Sequence, residues 1–193
     1  GTEPTVSNAP DLKLWNQTSD FDWQNWYMGN TSRSFNGTAT LSGGGDQTTF
    51  LLSSTYHHET TVLTGNTSYD RGGFHLNLNH HSANQRFLLT TGIFYTTDNN
   101  LLSGNFNGAM SGIVRGIANY PIYDSLGKLN WTGGQDNYVA QALAYSKNKT
   151  DNLNADLLTR YQILKGLTVE VNLGYNKIEI NQLTPSPISS KNP

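Results

Sequence analysis

Five histidines, at positions 57, 58, 75, 80 and 81, are the residues of this chain best suited to metal or proton chemistry. Zinc-type coordination needs at least three convergent ligands with a supporting shell. No His-Glu-x-x-His or comparable spacing occurs, so solvated or hydrogen-bonded histidines are expected and no metal site is assigned. Hydrolytic chemistry fares no better. Gly-x-Ser-x-Gly is absent, and the glycine run Gly43 to Gly45 before Asp46 lacks the Lys and Ser/Thr of a phosphate loop. Asp20 with Asp22, or Glu170 with Glu179, could form carboxylate pairs, but nothing in the sequence sets either pair around a substrate. Cysteine is absent, which removes thiolate and disulfide chemistry. No enzyme activity, catalytic residue or cofactor is therefore expected. Six Asn-x-Ser/Thr sequons begin at Asn16, Asn30, Asn36, Asn66, Asn130 and Asn148, and matter only if the source glycosylates.

Aromatic rings in polar sequence are the remaining candidates. Trp15, Phe21, Trp23, Trp26 and Tyr27 cluster in an Asp/Asn/Gln-rich stretch, and Tyr120, Tyr123 and Trp131 lie in a second loop-like region. Such rings either knot a long loop together or offer faces that stack on sugars and pack on partner proteins. With formal net charge -2 and 13% charged residues, the chain has no basic run, and no nucleic-acid partner is expected.

The elements that must carry these residues are strands. Over residues 152–175, Leu153, Ala155, Leu157, Tyr161 and Ile163 alternate with Asn154, Asp156, Arg160 and Gln162, with Leu158 the exception. Lys165-Gly166 makes a turn, and Leu167, Val169, Val171, Leu173 and Tyr175 then alternate with polar residues. A period of two is the mark of a strand. A charged polar face opposite an aliphatic one is the pattern of a membrane-barrel hairpin, although a half-buried soluble sheet alternates in the same way. Strands are also expected at 35–42, 49–58, 72–80 and 87–95, and a short helix within 108–119. Short turns near 43–46, 82–85 and 164–167 alternate with long connections at 59–69 and 98–150. Barrels of the outer membrane have one rim of short turns and one of long loops. Tyr56, Tyr95 and Tyr175 all lie toward the long-loop ends of their strands, where an aromatic girdle belongs.

Composition points the same way. Hydrophobic residues make up 35% of the 193, too few for a deep soluble core. No run approaches the length of a transmembrane helix, which says nothing against strands. The chain starts at Gly1 and stops at Pro193 in loop-like sequence, which reads as a fragment of something longer.

Several stretches resemble the SusC/RagA-type TonB-linked outer-membrane transporters: Asp22-Trp23-Gln24, Leu41-Ser42-Gly43-Gly44, Phe50-Leu51-Leu52-Ser53 with Tyr56, Tyr120-Pro121-Ile122-Tyr123-Asp124-Ser125-Leu126-Gly127, Lys165-Gly166-Leu167, Leu173-Gly174-Tyr175, and Ser186-Pro187 with Asn192-Pro193. The resemblance spans nearly all of residues 20–193 and rests on the order and spacing of these motifs. It implies an all-β, antiparallel up-and-down meander of about six long strands, part of a transmembrane barrel of about 22 strands with a plugged lumen. It implies residence in the outer membrane of a Gram-negative, Bacteroidetes-like bacterium. It also implies import of glycans or peptides, with a SusD-like surface lipoprotein as lid and TonB acting through a plug region not contained in this sequence. On that reading 1–32 is an extracellular loop segment, 33–97 four barrel strands, 98–150 a long extracellular loop, 151–180 a hairpin and 181–193 the start of another loop. Trp23, Trp26, Tyr27, Tyr120, Tyr123 and Trp131 are then the residues expected to contact ligand or lid. The competing reading is a soluble, surface-exposed β-sandwich, a carbohydrate-binding or adhesin-like module.

Overall fold

The computed structural model describes residues 1–104, 106–131 and 137–192; Pro193, used in the sequence reading, lies outside them. Six strands form one antiparallel sheet in which every strand pairs with its neighbours in sequence: β1 (Ser34–Gly44), β2 (Thr48–Thr60), β3 (Ser68–His81), β4 (Phe87–Ser103), β5 (Tyr145–Leu164) and β6 (Leu167–Leu183). This is the meander that the alternating segments predict. Two of its short hairpins take left-handed backbone: Gly166 sits at φ 89° between β5 and β6, and Gln85 at φ 56° between β3 and β4. Glycine reaches that region freely, whereas Gln85 does so at a cost.

Partnered residues share a face, so the register sorts the side chains. On one face Leu41, Leu52, Leu76, Ile93, Ala155 and Tyr175 form a single cross-sheet row. The next row on that face is Gly43, Phe50, Leu78, Thr91, Leu157 and Leu173. The opposite face carries Thr40, Ser53, His75, Phe94, Asn154 and Asn176 in one row. The apolar face lies open: Leu173 is 58% exposed and Phe35 59%. No second sheet packs against it among the described residues, so the face-to-face sheets of a sandwich are not present there.

The strands run further than the apolar alternation marks. β4 continues to Ser103, β5 begins at Tyr145, and β6 continues to Leu183, so residues 98–103, 145–150 and 181–183, expected as loop, are strand. Past Tyr95 both faces of β4 turn polar, with Asp98, Asn99 and Asn100; past Tyr175 the face of that tyrosine carries Lys177, Glu179 and Asn181 on β6, while Ile178 and Ile180 stand on the other. The apolar alternation on the face of the tyrosines stops there while the backbone ladder does not, and only the alternation is visible in sequence. Residues 1–32 likewise hold two short helices, α1 (Pro10–Lys13) and α2 (Trp23–Met28), and 104–144 holds α3 (Phe106–Arg115) and α4 (Tyr138–Ala142). The helix expected within 108–119 is α3, displaced toward the N-terminus. Its Gly108 and Gly112 do not break it, and Gly112 fits because a Cβ there would come within 2.7 Å of the Tyr138 Cβ.

Thr96 on β4 is buried, but among the described residues the large buried side chains are not in the sheet. Those with large apolar groups, Trp23, Tyr27, Tyr120, Ile122 and Val139, all belong to the loop segments at the rim opposite the short hairpins.

The two glycines of the last hairpin separate a conformational requirement from simple absence of a side chain. Gly166→Ala is expected to destabilise by about 1 kcal/mol through the left-handed backbone. Gly174→Ala, where an added Cβ meets nothing within 4 Å, is expected to be neutral or slightly stabilising. Chemical unfolding in detergent, followed by circular dichroism, distinguishes the two.

Candidate functional site

The rim cluster is assembled from segments far apart in sequence. Asp22 caps α2 by accepting a bond from the Asn25 amide at 2.8 Å. That turn directs Trp23 inward, where its indole N–H donates to the Ile117 carbonyl at 3.3 Å. Rings then meet edge to face: Phe21 and Trp23 at 4.7 Å, Trp15 and Tyr120 at 5.2 Å, Trp23 and Tyr138 at 5.6 Å. This is the geometry that the ring quadrupole favours. Backbone bonds from Phe21 to Ala118, Asn30 to Val62 and Thr64 to Tyr27 fasten the segment before β1 to the β4–β5 and β2–β3 connections.

Asn137 locks the other half. It is fully buried, its amide nitrogen donates to the Ile122 and Asn130 carbonyls at 3.0 Å, and its amide oxygen accepts from the Ala140 N–H at 3.2 Å to cap α4. Tyr120 donates its hydroxyl to the Asn130 carbonyl at 2.8 Å, and the Asn130 amide donates to Pro121 at 2.7 Å. Asn130 is therefore a packed residue, whatever its sequon suggests. The stretch from Tyr120 to Gly127 is a small hairpin around Asp124. One carboxylate oxygen accepts from the amides of Leu126 and Lys128 at 2.8 and 2.9 Å, and Gly127 takes φ 75°. Asp and Gly at that spacing are turn chemistry, an aspartate capping its own loop and a glycine closing it.

The six aromatic residues proposed from sequence thus divide. Trp23 (6% exposed), Tyr27 (1%) and Tyr120 (5%) are interior, so here they build the cluster and offer no ring face to a ligand. Trp26 is half-buried against them. Tyr123, at 55% exposure, and Trp131 stay at the surface and share a cavity of about 780 Å³. Its wall is completed by Asp124, Lys128, Leu143 and Ile188, the last brought in by the C-terminal segment after β6. The cavity pairs aromatic and aliphatic surface with one acid, Asp124, and two bases, Lys128 and Lys191, a lining able to hold an amphiphilic ligand such as a sugar or peptide.

The titratable residues singled out from sequence are dispersed. His57 and His75 lie on the polar face, where His57 contacts Asn36 at 2.6 Å and His75 stands edge-on to Phe94. His58 and His80 lie on the other face; His58 sits 2.6 Å from Asp70 and His80 2.8 Å from Thr48. Among the described residues no three metal-ligating side chains converge. Asp22 serves α2 as its cap. Glu170 pairs with Arg160 at 2.6 Å on the polar face, while Glu179 pairs with Lys177 at 3.0 Å on the other. These two glutamates are therefore not a carboxylate pair. The polar face also carries a hydrogen bond from Asn176 to Asn154, and a Gly92 on which the Asp156 carboxylate rests, where a Cβ would meet it at 2.5 Å.

The chain is similar in structure to a chain of the RagAB peptide importer in its closed-closed state. The TM-score is 0.64 at 16% identity, over 94% of this chain and 24% of that one. The fold is thus that of a segment of the importer chain, and this chain spans about a quarter of that chain's length. No family model and no curated protein matches the sequence.

Asn137→Ala removes the α4 cap and two donated bonds in a buried site. It is expected to cost about 2 kcal/mol. The loss should be local: amide exchange rises through 117–131 and 137–143 while strand amides stay protected.

Proposed function

We propose that this chain is part of the wall of a TonB-dependent outer-membrane transporter of the SusC/RagA type. The observation that carries the reading is a six-stranded meander whose apolar face is covered by none of the described residues, and whose long-loop ends meet in one packed rim cluster. In lipid a strand has no water for its backbone groups, so paired, closed strands with an apolar exterior are the workable solution. The polar face, with its Asn-Asn contact and Arg160–Glu170 pair, would line the lumen around a plug. The rim cluster would lie on the extracellular side, where Tyr123 and Trp131 meet a glycan or peptide or the SusD-like lipoprotein that closes over it. TonB would act through the plug, outside these residues. The RagAB likeness supports the architecture and agrees with peptide as one substrate class.

Sedimentation tests the reading first: the chain should disperse with β-type circular dichroism in mild detergent and associate in plain buffer. A monodisperse, cooperatively unfolding monomer without detergent would refute it. Within the intact transporter, Leu157→Arg on the apolar face is expected to cost about 2–4 kcal/mol, while Asn172→Lys on the polar face is tolerated. Heat-shifted mobility on gels reports both. Tyr123→Ala with Trp131→Ala is expected to weaken ligand or lid binding about tenfold without loss of barrel assembly. Unchanged binding would remove the rim cavity from the contact surface.

A further inference from the structure

The cavity shared by Tyr123 and Trp131 draws its lining from three segments. The hairpin closed by the Tyr123–Leu129 bridge brings Asp124 and Lys128. α4 and the residue after it bring Val139 and Leu143. The single turn Ile188–Ser190 brings Ile188, with Lys191 directly behind it.

The charged groups of this lining are unequal. Two ammonium groups, Lys128 and Lys191, stand against one carboxylate, Asp124, in a chain whose formal net charge is -2. The carboxylate is already engaged, because one of its oxygens accepts from the Leu126 and Lys128 amides at 2.8 and 2.9 Å. The ammonium groups are not. Neither pairs with a carboxylate among the described residues, and both lysines are exposed. Lys128 serves its turn through backbone alone, its carbonyl accepting from the Asp124 N–H at 2.7 Å. Lys191 likewise donates only its backbone N–H, to the Ile188 carbonyl at 3.0 Å. Both side chains are therefore left over once the local fold is satisfied, and they face the same cavity.

The uncharged lining decides which anion fits. The rings of Tyr123 and Trp131 accept a sugar face or an apolar side chain equally well. Val139, Leu143 and Ile188 do not. Aliphatic surface gains by covering an apolar side chain, whereas a sugar hydroxyl placed against it is desolvated without a partner. Carboxylates interleaved with apolar side chains are the chemistry of an acidic peptide.

We infer that the rim cavity binds acidic peptides, Lys128 and Lys191 taking the carboxylates while the rings and the aliphatic wall take the apolar side chains between them. This rests on Tyr123 and Trp131 being a contact surface, as proposed above, and adds the sign of charge that the surface selects. An ammonium is a mobile point charge, so the selection is for charge and not for one fixed geometry. An exposed pair of this kind is worth about threefold in affinity, and two together about tenfold.

Calorimetric titration of the intact transporter in detergent tests this with two blocked tetrapeptides, one alternating Glu and Leu, the other Gln and Leu. Tetragalacturonate serves as a glycan of the same sign. The Glu-Leu peptide is expected to bind about tenfold more tightly than the Gln-Leu peptide at about 0.1 M salt, and to lose that advantage near 1 M, where the screening length falls to about 3 Å. Lys128→Gln with Lys191→Gln should abolish the same advantage, while Tyr123→Ala with Trp131→Ala should weaken both peptides. Equal affinity for the two peptides, still weakened by the ring substitutions, would overturn the inference and leave the contact surface standing. Lysine-dependent binding of tetragalacturonate with no binding of the Glu-Leu peptide would overturn it in favour of an acidic glycan. Peptide binding that neither pair of substitutions alters would overturn both the inference and the contact surface.

Discussion

Backbone pairing between consecutive strands is the constraint on which everything else here depends. A strand's N–H and C=O groups need partners wherever water is scarce, and in this chain they find them in the strand before and the strand after. Once that ladder is satisfied, neither face of the sheet has to be buried within the chain. One face is free to be oily and the other wet. The low hydrophobic content, which would starve a soluble core, is enough to coat one side of a sheet.

That freedom moves the packing problem to the rim. The long connections cannot be satisfied by a ladder, so they make a small core of their own. Trp23, Tyr120, Ile122 and Val139 exclude water, and Asn137 pairs the carbonyls that their packing strands. The molecule therefore keeps two kinds of order side by side: a sheet with little core and a loop cluster with little ladder. The segment before β1, the β4–β5 connection and the stretch after β6 enter the cluster together, so perturbing one transmits to the surface around Tyr123 and Trp131.

This division also explains which parts were legible in sequence. The period of two over 152–175 and at 72–80 gave the meander and its register faces, because an alternating sheet writes its faces directly into residue order. Both short turns were legible, but whereas Gly166 also announced its left-handed backbone, Gln85, with no chemical preference for that conformation, did not. The polar extensions of β4, β5 and β6 were invisible because pairing among Asn, Thr and Lys leaves no hydrophobic trace. The aromatic residues were the hardest. Trp23 and Trp131 look alike in sequence, both tryptophans in polar loops, yet one is interior and the other lines an open cavity. What separates them is a contact across more than ninety residues, Trp23 to Ile117, which no local pattern encodes.

A fold that is shared at 16% identity follows from the same physics. Lipid accepts any aliphatic or aromatic side chain, so on the proposed wall a row such as Leu41, Leu52, Leu76 and Ile93 would be constrained in polarity and scarcely in identity. The polar face is held to hydrophilic residues and is similarly free. Identity is demanded only where geometry is singular: a glycine at positive φ, an aspartate capping the Tyr123–Leu129 hairpin, an asparagine bridging two carbonyls. Those positions are few, and they lie at turns and in the rim cluster. The surface residues left over once the cluster is packed, Tyr123 and Trp131 among them, are the ones free to vary with whatever binds there.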